Sequence, residues 1–94
     1  MTFELFTRAV LRIDIPFYSL KTGDVVTIVD AHSGTSTQEQ GYSVEVFSAT
    51  GDTLAVVTLP ESSLEPLKNS EILHVRQFQR VAEPGPPYSP PEKK

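Results

Sequence analysis

The two histidines, His32 and His74, are the side chains of this sequence best suited to proton transfer or metal binding near neutral pH. His32 opens the polar run HSGTSTQEQ, and His74 alternates with apolar residues. Either one, combined with Ser33 or Ser36 and Asp14 or Asp30, sketches a Ser-His-Asp triad. No nucleophile-elbow spacing or base-orienting partner supports such a triad. A zinc site takes roughly three or four His, Cys or carboxylate ligands, and a chain with 0 cysteines and 2 distant histidines does not supply them. The carboxylates occur singly, so no paired acid and base can be read. Gly23 and Gly51 are isolated turn glycines rather than a phosphate-cradling loop. The expectation is a protein without catalytic residues, metal or cofactor, and not an enzyme.

Aromatic residues carry a different chemistry. Phe17 and Tyr18 follow Pro16 in a stretch expected to be a loop, with Asp14 and Asp24 on either side and Phe47 further along. Exposed aromatics beside acidic groups suit a basic, extended peptide. These five residues are the candidate partner-binding site. In the competing reading Phe17 covers one end of the core and Tyr18 is half-buried.

Charge points to the same class of partner. The chain has a net charge of −4. Residues 1–67 carry nine acids and three bases, a net −6, whereas residues 68–94 are net +2. An acidic body repels phosphate backbones, so nucleic acid is not the expected partner and a basic protein is. The same charge also serves solubility. No apolar run approaches the roughly 20 residues that span a bilayer, and no basic-then-apolar leader opens the chain. A cytoplasmic protein without a membrane partner is expected.

The elements that must position these residues read as β-strands. Val10, Leu11 and Ile13 mark a first strand over 7–14, which Pro16 ends because it has no amide hydrogen to donate. The β-branched run VVTIV lies in the clearest strand, 24–31, whose apolar residues at both parities suggest partial burial on both faces. Residues 32–40 read as a loop. In 42–49, Tyr42, Val44 and Val46 share a parity and should face the core, leaving Glu45 in water. Gly51 supplies the positive φ of a tight hairpin into the strand at 53–59. A turn at 60–63 leads to a short edge strand at 64–67, where Pro66 cannot donate a ladder bond. Residues 71–81 carry two patterns. Spacing at 72, 75, 78 and 81 suits a helix capped by Ser70, while the alternation Leu73-His74-Val75-Arg76 suits a strand, the reading slightly preferred. Residues 82–94 hold five of the 8 prolines. They read as a disordered, polyproline-like tail with a PxxP spacing at Pro87-Tyr88-Ser89-Pro90.

About five short strands with frequent turns and no convincing helix give an all-β fold. Curling removes exposed edges, and the order of strands and loops is that of a small SH3-like barrel over 1–81, followed by the tail. The runs LKTGDVVTIVD, GYSVEVFSATGDTLAVVTLPESSLEPL and EILHVR resemble a family of small bacterial proteins known as domain of unknown function 4926. The resembling positions are Leu20, Gly23, Asp24 and Val25; Val44, Glu45 and Val46; Gly51; and Leu64, Pro66 and Leu67. It spans roughly residues 5–77 and departs at Val26-Thr27, where the family often has Gly-Thr. The resemblance implies an SH3-like fold and no catalytic residues. Relatives encoded beside small toxin-like proteins imply a neutralising, antitoxin-like role. The expectation is a bacterial, non-catalytic protein-binding module, antitoxin-like or an adaptor, monomeric or weakly dimeric through the 64–67 edge. The alternative is a small RNA- or ribosome-associated barrel.

Overall fold

Alternation of β-branched and polar residues produces five antiparallel strands. In the computed structural model, which describes residues 3–78, these are β1 (Arg8–Leu11), β2 (Val25–His32), β3 (Gly41–Phe47), β4 (Thr53–Pro60) and β5 (Leu64–Pro66). They form one sheet in the order β4-β3-β2-β1-β5. β2 is the shared strand. It pairs with β1 from Val25 to Thr27 and with β3 from Thr27 to His32. A register shift between Ile28 and Asp30 leaves Val29 as an extra residue. Such a bulge bends a strand and increases its twist, which lets a single sheet curl around one core. The bulge lies just beyond Val26-Thr27, whose side chains pack as ordinary strand residues. With a 3₁₀ turn (Glu61–Ser63) joining β4 to β5, the result is a small SH3-like barrel with β4 and β5 at its two edges. The edge strand expected at 64–67 is β5, which pairs with β1 alone.

The interior follows the parity of the strands. Ala9 and Leu11 from β1, Val26 and Ile28 from β2, Tyr42, Val44 and Val46 from β3, Val57 and Leu59 from β4 and Leu64 from β5 form the core, joined by Phe3 and Leu20. β2 shows the expected two-faced burial in moderate form, with Val25, Thr27 and Val29 half-buried. Tyr42 is fully buried, and its hydroxyl accepts a hydrogen bond from the Phe3 amide at 3.0 Å. The two rings meet edge to face at 5.3 Å. This contact fastens Phe3 across the core. At the hairpin, Gly51 has φ +98° and the Ser48 amide donates to the Asp52 carbonyl at 2.7 Å.

Residues 71–78 form neither the strand nor the helix that the sequence allowed. The alternation there has no buried side to satisfy. Ile72 and Val75 are 90% and 87% exposed. The segment instead follows a turn in which Lys68 and Glu71 bond each other, the Glu71 amide donating to the Lys68 carbonyl and the Lys68 amide to the Glu71 carboxylate. It then runs as an irregular arm beside the barrel. The expected tail, with its PxxP spacing, and the end of the 1–81 domain lie outside the described residues. Among the described residues, no helix is long and apolar enough to cross a membrane.

Candidate functional site

The loop between β1 and β2 is itself a hydrogen-bonded hairpin. At its base, the Leu11 amide donates to the Asp24 carbonyl at 2.9 Å and the Gly23 amide to the Leu11 carbonyl at 2.8 Å. Midway, Ile15 and Leu20 bridge in both directions, at 2.9 and 3.1 Å. Leu20 is only 1% exposed and roots the loop in the core. The tip is a 3₁₀ turn, Pro16–Tyr18, with proline in its first turn. Proline presets the backbone angle such a turn needs and lacks the amide hydrogen it would leave unpaired. The turn ends at Ser19, which adopts φ 60°.

This scaffold holds Phe17 in the open. Its side chain is 73% exposed and packs edge to face on Tyr18 at 5.0 Å. Tyr18 is itself 37% exposed. The two aromatics therefore face solvent as a pair and do not cover the core. Asp14 fixes the same loop, its Oδ1 accepting the Thr22 amide at 2.8 Å. That bond holds the Asp14 carboxyl below its ordinary value.

Asp24 is already engaged. Its Oδ1 accepts Arg76 Nε at 2.8 Å and its Oδ2 accepts an Arg76 terminal nitrogen at 2.6 Å. The same nitrogen donates to the Ser19 carbonyl at 2.9 Å. Planar guanidinium and carboxylate groups match in this two-pronged geometry. The Lys21 amide adds a bond to Oδ2 at 2.8 Å. Partial burial alone would raise the Asp24 pKa, but the bonds from Arg76 and Lys21 and their charges outweigh it, and the carboxyl sits below its ordinary value. The notch formed by Asp24 and the Ser19 carbonyl is thus a guanidinium site, placed directly after the aromatic turn in the chain.

Phe47 is 44% exposed and stands apart from the Phe17–Tyr18 pair. With Val10, Leu20, Leu54 and Leu67 it lines a groove of about 1060 Å³ that also borders the arm and Asp24. Of the five candidate residues, Phe17, Tyr18 and Asp14 share the loop, while Asp24 links that loop to the groove containing Phe47. Arg76, the group that fills the notch, was not among the candidates. Its sequence signals were the contrast between an acidic body and a basic C-terminal part and its place at the end of the run EILHVR.

The histidines do not converge. His32 Nε2 lies 2.8 Å from the Ser43 hydroxyl, which lies 3.0 Å from the Thr58 hydroxyl, a polar ladder across the exposed face of β2, β3 and β4. His74 belongs to the arm. Among the described residues, no three His, Cys, Asp or Glu side chains come close enough to hold a metal ion.

Comparison with curated proteins and with solved structures gave no match. A family model matches residues 5–66, a span that contains all five strands and the aromatic loop and ends at the last residue of β5. The chain belongs to the family described as a domain of unknown function, DUF4926.

Proposed function

We propose that this barrel is a non-catalytic module that binds another protein, gripping a basic segment between the Phe17–Tyr18 turn and the acidic notch at Asp24. The observation that carries this reading is the aromatic pair, held in solvent by a turn whose backbone is hydrogen-bonded on both sides. An exposed, rigid aromatic supplies contact area with little entropy left to lose on binding. The net −6 over residues 1–67 favours a Lys- or Arg-bearing partner. Arg76 demonstrates within the chain how the notch takes a guanidinium. An adaptor, or an antitoxin-like protein that neutralises a small partner, would use such a surface.

The test is selection of a random displayed peptide library on the immobilised full chain. Enrichment of peptides with Lys or Arg beside apolar residues, lost on a Phe17→Ala/Tyr18→Ala chain whose circular dichroism stays native, is expected. Equal enrichment on the double variant would reject this surface. Salt-sensitive retention of RNA with no peptide enriched would replace the reading by a nucleic-acid one.

A further inference from the structure

Arg76 and its neighbours raise a question the fold does not answer. All five strands are complete by Pro66, and the family match ends there. The arm is therefore not needed to close the sheet. Among the described residues, positions 72–75 make no hydrogen bond to the barrel. Ile72, Leu73 and Val75 are 90%, 54% and 87% exposed. Two residues fasten the arm: Arg76, whose guanidinium sits in the notch, and Phe78 two residues later, which packs against the core. The ion pair is itself within reach of water, its side chains 32% and 17% exposed.

From this geometry we infer that residues 71–78 are a releasable internal ligand, and that the notch and groove beneath them bind a partner segment of the same chemistry, an arginine two residues before an aromatic. This rests on the protein-binding reading above and names the partner's recognition element. The arm as a whole is net neutral, Glu71 offsetting Arg76, so what a partner would have to reproduce is local: one guanidinium on the Asp24 carboxylate and the Ser19 carbonyl, and an aromatic two residues on. Because it is tethered, the arm competes at an effective concentration that short linkers place near millimolar. A partner meets only the fraction of chains whose arm is open, so its apparent affinity falls by that fraction. The cis contact thus sets a threshold that a weak or non-matching peptide does not pass.

The probe is a fluorescein-labelled peptide with the sequence of residues 70–78, titrated by anisotropy into three full-length chains: the natural one, Arg76→Ala, and Arg76→Ala combined with Asp24→Asn. The inference expects binding to Arg76→Ala to be about two- to fivefold tighter than to the natural chain, the range that a surface ion pair's contribution allows, and the added Asp24→Asn change to abolish that gain. Equal affinity for the natural and Arg76→Ala chains, or a gain indifferent to Asp24→Asn, would overturn it. So would loss of the native β spectrum in Arg76→Ala, because the arm would then be a part of the fold and not a ligand. A fourth chain, Phe17→Ala/Tyr18→Ala with Arg76→Ala, separates this inference from the docking proposal. Asp24-dependent peptide binding that survives there supports the releasable arm even where the aromatic turn has failed as a docking surface.

Discussion

Replacing Tyr42 by phenylalanine isolates one atom of the core. The ring stays, so its packing and its edge-to-face contact with Phe3 at 5.3 Å are retained. Only the oxygen that accepts the Phe3 amide at 3.0 Å is removed. Both residues are buried, Tyr42 at 0% and Phe3 at 8% exposure, so water does not readily replace the lost acceptor. A buried donor left unpaired costs about 1–3 kcal/mol. The hydroxyl's own desolvation cost disappears with it, which puts the expected loss near the lower end, about 1–2 kcal/mol. In a domain of this size each kcal/mol shifts Tm by about 4–8 °C, so Tyr42→Phe should melt roughly 5–15 °C below the natural chain. Thermal melts followed by circular dichroism give the shift. Hydrogen exchange at the Phe3 amide gives the cause, since protection there should vanish while protection in β3 remains. A melting point within a degree of the natural one, or an unchanged Phe3 amide, would refute the assignment of this bond as what secures the N-terminal segment.

Two further outcomes follow from single contacts. Gly51 sits at φ +98° with no atom within 4 Å of where a β-carbon would stand, so Gly51→Ala tests backbone strain without a clash. A loss of about 1–2 kcal/mol in urea denaturation is expected, and no loss would contradict the hairpin geometry. The Asp24 carboxyl is held below its ordinary 3.8, so the stability it contributes is complete above the unfolded-state value of about 3.9 and fades as pH falls through the lower folded value. The stability gap between the natural chain and Asp24→Asn, about 1 kcal/mol or less for so exposed a pair, should be flat from about pH 5 to 8 and close in more acidic buffer. A gap that widens on acidification would contradict the Arg76 contact.

Which parts could be read from sequence follows from the range of the interactions. The parity of Tyr42, Val44 and Val46 and the glycine of the 48–52 hairpin are local features, and local sterics decide them. The strand order is not local: it depends on the pairing of β1 with β5, which sets Leu11 opposite Leu64. The Phe17–Tyr18 turn was marked by Pro16, yet whether it covered the core or faced solvent depended on Leu20, whose burial is a tertiary fact. The Arg76–Asp24 pair joins residues 52 positions apart. No periodicity carries that pairing, and only the unequal spread of charge hinted at it. The alternation over 73–76 misled, because a two-residue period stabilises a strand only where one face is buried. Here the alternating residues lie on an arm with water on its outer side.

The central claim is that the aromatic turn and the notch beside it are where a partner docks. Amide chemical shifts of the full chain, recorded while a selected basic peptide is titrated in, test it most directly. The account predicts that the largest changes fall on Phe17, Tyr18, Ser19, Lys21 and Asp24, with Arg76 shifting as its guanidinium is displaced. Changes confined to the exposed His32–Ser43–Thr58 ladder of β2, β3 and β4 would contradict it.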